Sequence, residues 1–303
     1  MEKNKASLTS LMSAFGRAFH AEQAENPVFA DTKAKELMTP EEYAAIGTYI
    51  ADGISFFAPE QQDVLKSKAE RLRYLINTQI APTPLARARY CEEALDTAAL
   101  TGTAQYVILG AGLDTFAFRR PDFLSKHAVF EVDHPKTQED KQARIRAAGW
   151  EIPKNLHFVP TDFTVDNLQS KLEAAGFDGS RKTFFSWLGV SYYLTEPQIR
   201  GMLGTLSEFA ADGSTLLFDY ADETLFTSEI RRVKNMIMMA AAAGEPMHTC
   251  FSEEALTRLL EAYDFRIYEL LTDGDIQNRY FRDKTEALTA FEHIHYIQAV
   301  LKK

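Results

Sequence analysis

Apolar and polar positions along the chain follow two different rhythms. Up to about residue 100 the apolar residues recur at helical spacing. This holds in SLTSLMSAFGRAFHAEQ, in TPEEYAAIGTYIADGISFF and in PEQQDVLKSKAERLRYLINTQIA, and no convincing strand interrupts them. Pro27, Pro40, Pro59, Pro82 and Pro84 punctuate these segments, as expected of a residue that starts or stops helices more easily than it sits inside them. From Gln105 the texture changes to short β-branched and aromatic runs: QYVILGAG, AVFEVD, LHFVPTDF, KTFFSWLG and STLLFDYA. Helical stretches separate them (HPKTQEDKQARIRAAG, NLQSKLEAAG and EPQIRGMLGTLSEFAADG), and strands alternating with helices imply right-handed crossovers and a parallel sheet covered on both faces. Beyond the fifth strand, a long Met- and Ala-rich helix is expected within ETLFTSEIRRVKNMIMMAAAAGEPMHT. A further helix, SEEALTRLLEAYDF, and two last strands, FRIYELLT and QNRYFRD, follow it.

The pattern predicts a doubly wound α/β fold with a mostly parallel sheet. Residues 1–100 form a helical N-terminal cap, residues 101–303 form the core, and a helical lid is inserted at about 222–250. An apolar share of 46% in 303 residues suffices for a sizeable core. A formal charge of −10, with no dense basic run, argues against nucleic acid as a partner. Cys91 and Cys250 stand far apart without metal-ligand spacing, so neither a disulfide framework nor a metal site is indicated, and both read as buried thiols. With no apolar run of membrane-spanning length and no h-region in MEKNKASLTSLMSAF, no membrane association and a cytoplasmic location are expected.

The chemistry concentrates at the ends of the strands. After the first strand, Leu109-Gly110-Ala111-Gly112-Leu113-Asp114-Thr115 lets the backbone turn sharply and approach a ligand. A dinucleotide fingerprint would place a small residue where Thr115 stands, and the Asp114 carboxylate would repel phosphates. A phosphate-free, nucleoside-like cofactor with an amino-acid portion and a sulfonium suits the turn better than NAD. The second strand ends in Glu131-Val132-Asp133, where an acid accepts from ribose hydroxyls, and the third in Asp162-Phe163, an acid and a ring suited to adenine.

In these motifs the chain resembles the leucine carboxyl methyltransferase family, and within it the bacterial branch of tetracenomycin-type polyketide O-methyltransferases. The likeness rests on RARY (87–90), ILGAGLDTFAFR (108–119), FEVDHPKTQEDK (130–141), PTDF (160–163) and WLGVSYYLT (187–195). It implies a class I, Rossmann-like seven-stranded fold and S-adenosyl-L-methionine as methyl donor. Arg87, or its neighbour Arg89, would hold the methionine carboxylate, with Lys33 or Lys35 assisting. Gly110, Ala111, Gly112 and Asp114 would pass beneath the methionine and ribose, Glu131 and Asp133 would mark the ribose end, and Asp162, Phe163 and Leu188 would complete the cofactor site. Members similar to the eukaryotic carboxyl methyltransferases carry Glu where this chain has Leu188, which points away from a protein substrate and toward a small-molecule methyl acceptor.

A carboxylate acceptor needs no base, whereas a phenol or alcohol must lose a proton to a positioned side chain. Tyr192, Tyr193, Asp219, Tyr220 and His248 lie near the expected mouth, with Tyr193 and His248 the candidate catalytic residues. Met236, Met238 and Met239 serve either as core packing or as a pliable wall for an apolar substrate. An NAD(P)-dependent oxidoreductase and a non-catalytic S-adenosylmethionine-binding protein stay open as alternatives, as does a homodimer.

Overall fold

A computed structural model of the chain describes residues 8–163, 165–284 and 287–303. Its centre is a seven-stranded sheet in the order β3-β2-β1-β4-β5-β7-β6. The strands are β1 (Gln105–Leu109), β2 (Ala128–Asp133), β3 (Leu156–Pro160), β4 (Thr183–Trp187), β5 (Thr215–Ala221), β6 (Phe265–Leu271) and β7 (Ile294–Leu301). The first five run parallel, while β7 runs antiparallel to both β5 and β6. This is the doubly wound arrangement that the alternating runs predict.

Every residue of β1, β4 and β5 is buried, which explains why these strands read as continuous apolar runs rather than alternating ones. The period of two still decides which face each residue serves. Tyr106 and Ile108 join one apolar cluster, and Val107 and Leu109 join the other. The first cluster takes in the helical first third, α1 (Leu8–Gln23), α2 (Pro40–Asp52), α3 (Lys68–Leu75) and α4 (Pro82–Leu100), through Phe15, Ile50, Leu75 and Leu95. The second lies under α7 (Glu196–Phe209) and α9 (Glu253–Glu261), with α5 (Pro135–Ala147), α6 (Leu168–Ala174) and α8 (Arg231–Ala242) completing the longer helices. Helix starts follow local chemistry: Thr39 with Glu42 and Ser67 with Glu70 form capping boxes, and Pro40 and Pro82 occupy first-turn positions. Ser7, the first residue of the expected first helix, lies outside the described residues.

Two expectations are corrected. QNRYFRD is not a strand, because a capping box between Thr272 and Asp275 launches a helical turn that continues through Gln277–Phe281. Adjacent Tyr280 and Phe281 are both buried there, whereas a half-buried strand would send one of them outward. The missing strand is instead β7, whose IHYIQAVL is flanked by two ladders and buried on both sides. The Met- and Ala-rich segment is also shorter than read: its helix spans Arg231–Ala242, after a separate turn at Leu225–Thr227. Cys91 is buried, its thiol pushed up to about 12 by desolvation, and Cys250 is only half-buried.

Glu131 and Lys141 form an ion pair between side chains that are 0% and 1% exposed. Burial pushes the Glu131 carboxyl up to about 7 against the pull of Lys141, and Gln138 donates to the Glu131 carbonyl at 2.7 Å. The pair locks α5 under β2. Lys141→Met would leave a buried carboxylate without its cation, and we expect a loss of roughly 3–5 kcal/mol in denaturant unfolding. Glu131→Leu combined with Lys141→Met should recover most of that loss, and equal destabilisation by the single and double variants would refute this role.

Candidate functional site

A cavity of about 1460 Å³ opens beyond the carboxyl ends of β1, β2 and β4, where an open α/β sheet binds its ligands. The turn after β1 forms its floor. Gly110 and Gly112 have φ of +74° and +49°, and the Gly110 and Ala111 amides donate to the Val132 carbonyl at 2.8 and 3.1 Å. A Cβ at Gly110 would stand 2.7 Å from Val190 Cγ2, so both conformation and space exclude a side chain there. Asp133 braces the turn from β2: its carboxylate accepts from the Gly112 and His134 amides, each at 2.6 Å. Burial raises its pKa against those two bonds. A carboxylate has about four lone-pair sites, so two remain for a ligand. Asp114 accepts from the Phe116 amide at 2.6 Å, which caps the short turn that follows.

The second wall is organised by Arg87 on α4. Its Nη1 donates to Asp219 Oδ2 at 3.0 Å and to the Tyr192 hydroxyl at 3.2 Å, while the other Asp219 oxygen accepts from the Gly189 amide at 2.6 Å. Gly189 (φ +71°) presses against the guanidinium so closely that a Cβ would fall 2.5 Å from Nη1. Asp219 itself is wholly buried. The remaining Arg87 side-chain nitrogens make no hydrogen bond among the described residues, and the side chain lines the cavity. Arg89 points outward and pairs with Glu93 at 2.6 Å, so Arg87 is the arginine of this pair that reaches the site.

Helix α1 closes the site from above. Ser10 Oγ accepts from the Leu113 amide at 2.9 Å and would lie 2.5 Å from a Cβ on Gly112. Buried Arg17 donates to Asp31 at 2.8 Å, to Ser13 at 3.0 Å and to the Leu113 carbonyl at 2.8 Å. Asp31 also accepts from Thr115 at 2.7 Å and pairs with Arg119, which in turn holds Glu92. Burial alone would raise the Asp31 pKa, but Arg17 and Arg119 outweigh it and hold the carboxyl below its ordinary range. Sequence reasoning missed Ser10, Arg17 and Asp31; the available signal was a charged residue among Phe15, Ala14 and Ala18 on the apolar face of a helix.

Asp162 and Phe163 lie on the wall at the end of β3, with Phe163 39% exposed and Asp162 at 4.0 Å from His134. Ala111, Leu188, Tyr192, Tyr193 and His248 also reach the cavity, as do Met236 and Met239, whereas Met238 is 50% exposed and points elsewhere. Burial pushes the Tyr193 phenol up to about 12, so its hydroxyl keeps its proton near neutrality. The His248 amide donates to the Tyr192 carbonyl at 2.7 Å. Several sequence candidates stand apart. Glu131 is sealed beneath the sheet by Lys141, Lys33 and Lys35 pair with Glu36 and Glu22 on the surface, and Tyr220 packs on His295.

The leucine carboxyl methyltransferase family matches residues 10–207, a span that includes α1, the glycine turn, Asp133 and Arg87. The chain belongs to this family. "Putative S-adenosyl-L-methionine-dependent methyltransferase YktD" of Bacillus subtilis (strain 168) is 46% identical over 305 residues, covering 100% of both chains. A relative from Mycolicibacterium gilvum with the same description but no gene name is 30% identical over 70% of this chain and 65% of its own. Among solved structures, a DUF574 family protein from Streptomyces avermitilis shares the fold at a TM-score of 0.57 and 14% identity, covering 95% of this chain and 97% of that one.

The protein is thus an S-adenosylmethionine-dependent methyltransferase, which sets aside the nicotinamide alternative. The site residues fit that cofactor: three positive-φ glycines let the lining close against Val190, Ser10 and Arg87 where a Cβ would not fit, Asp133 would offer lone pairs to hydroxyls, and Arg87 would offer its remaining donors to a carboxylate. The cofactor supplies an electrophilic methyl group. The methyltransferase's residues orient the two reactants and exclude water from between them.

Two outcomes follow. Asp133→Ala should weaken S-adenosylhomocysteine binding about 10- to 100-fold by calorimetry, the scale of lost hydrogen bonds to a charged acceptor, and unchanged affinity would place the ribose elsewhere. Asp31, ionised more readily folded than unfolded (about 3.9), contributes stability above that pH and loses it as pH falls through its lower folded value. Arg17→Ala should therefore lose its circular-dichroism signal at higher pH than the wild type on acid titration; coincident acid midpoints would count against the network.

Proposed function

We propose that this methyltransferase transfers the methyl group to an oxygen of a small, largely apolar molecule, in the manner of the tetracenomycin-type polyketide O-methyltransferases. One observation carries the reading: a single cavity is lined both by the glycine turn, Asp133 and Arg87 and by the apolar side chains of Met12, Ile46, Phe57, Met236, Met239 and Phe291, polar groups for the donor and apolar ones for the acceptor. At about 1460 Å³ the space exceeds the roughly 300–1,000 Å³ that one ligand commonly occupies, so a donor and an acceptor fit together.

In this reading Arg87 holds the donor's carboxylate, Asp133 its ribose, and Asp162 with Phe163 its adenine. Leu188 and the turn Gly110, Ala111, Gly112 and Asp114 line the path between them. Helix α1 and the segment from Arg231 to His248 act as a lid. Tyr193 keeps its proton and orients an acceptor oxygen by donating to it, and His248 sits at the rim. The methionines give the apolar wall adaptability, which suits a ring system more than a peptide.

Filling that wall separates the polar lining from the apolar one experimentally. Met236→Trp should leave S-adenosylhomocysteine affinity within about twofold while lowering labelled-methyl transfer to an apolar acceptor by about 10- to 200-fold, the scale of a disturbed apolar pocket. If donor affinity falls in parallel, the two linings are one site and the reading fails.

A further inference from the structure

Among the described residues, the cations that reach the cavity are Arg17, Arg87 and Arg119. All three are matched within the protein. Arg17 spends Nε on Asp31, Nη1 on Ser13 and Nη2 on the Leu113 carbonyl; Arg119 is shared between Asp31 and Glu92. Arg87 pairs with Asp219, and its remaining donors are those assigned to the cofactor carboxylate. The acids lining the cavity are Asp31, Asp114, Asp133, Asp162, Asp166 and Glu245, which outnumber those cations. A negative lining suits a sulfonium. It repels a second carboxylate, and among the described residues no unpaired cation is left to receive one.

Glu245 belongs to none of the ion pairs described above. It follows α8 in the loop Gly244-Glu245-Pro246, half-buried, on the same segment as the methionine wall. Its Oε2 accepts from Thr9 Oγ on α1 at 2.5 Å, and Oε1 takes no hydrogen bond from the described residues. Three residues on, the His248 amide donates to the Tyr192 carbonyl at 2.7 Å, which brings the Glu245 loop beside Tyr193, and both side chains line the cavity. That neighbourhood pairs a donor that stays protonated with an acid that can accept, beside an apolar wall.

We infer that the acceptor is a neutral apolar phenol or alcohol rather than a carboxylate, and that Glu245 receives its hydroxyl proton. The inference rests on the oxygen-methylation reading above. As the acceptor oxygen bonds the methyl carbon, its O–H bond breaks and the proton passes to Glu245 Oε1. The carbon–sulfur bond electrons return to sulfur, which leaves a neutral thioether and, after the proton escapes to solvent, a restored carboxylate. Tyr193 positions the same oxygen from its other side.

The test uses the full-length protein saturated with S-adenosylhomocysteine and titrated with 2-naphthol and 2-naphthoate, a matched neutral and anionic pair, together with labelled-methyl transfer from S-adenosylmethionine. Naphthol should bind at least about tenfold tighter than naphthoate, the direction set by like-charge repulsion, and it alone should be methylated. Glu245→Gln should keep S-adenosylhomocysteine affinity within about twofold, narrow the gap between the two probes, and lower naphthol methylation by about 10²- to 10⁴-fold, the scale of a lost general base. Equal or tighter naphthoate binding, full turnover in Glu245→Gln, or binding of neither probe to the saturated protein overturns the inference while leaving the methyltransferase site intact. Failure of S-adenosylhomocysteine itself to bind removes the cofactor reading, and the inference falls with it.

Discussion

A wholly buried carboxylate at the end of β5 holds the site in register. A carboxylate buried there needs partners, and those of Asp219 come from two separate parts of the chain: Arg87 on α4, and the Gly189 amide with the Tyr192 hydroxyl in the segment after β4. These bonds tie α4 to that segment across the cavity lining. Because the guanidinium lies against Gly189 with no room for a Cβ, position 189 is tied to glycine as firmly by packing as by its left-handed backbone. The arginine that lines the cavity is thereby set by a residue that does not line it.

The central parallel strands β1, β4 and β5 were legible because strands covered on both faces must be apolar along their whole length, and their runs combine β-branched with aromatic residues. β7 was harder. Its sequence, IHYIQAVL, carries histidine and glutamine within the run, and those polar residues are tolerated because the strand is flanked by two antiparallel ladders. QNRYFRD misled in the opposite direction. Aromatic residues suggested a strand, but the Thr272–Asp275 capping box a few residues earlier had already committed the chain to helix.

The cofactor end was legible for a related reason. Glycines in a turn and acids at strand tips are local signals, and Gly110, Gly112, Asp133 and Asp162 do meet at one cavity. Glu131, two residues before Asp133 on the same strand, carries the same local signal and serves packing instead, because only the fold places Lys141 beneath it. Ser10, Arg17 and Glu245 were invisible for the complementary reason. Each acts across a long stretch of chain, Ser10 on Leu113 and Glu245 on Thr9, and no local pattern records such a partnership.

The seating of α1 on the glycine turn has a thermodynamic consequence. Ser10 and Arg17 reach Leu113 from 103 and 96 residues away, so the floor and roof of the cavity are finished only when the first helix has docked. Any fraction of molecules with α1 detached is a fraction that lacks a complete site, and apparent affinity is divided by the population that is docked. Ligand and helix therefore stabilise one another by the same free energy. Helix α1 acts as a tunable part of the binding constant, even where it contributes no atom to the chemistry.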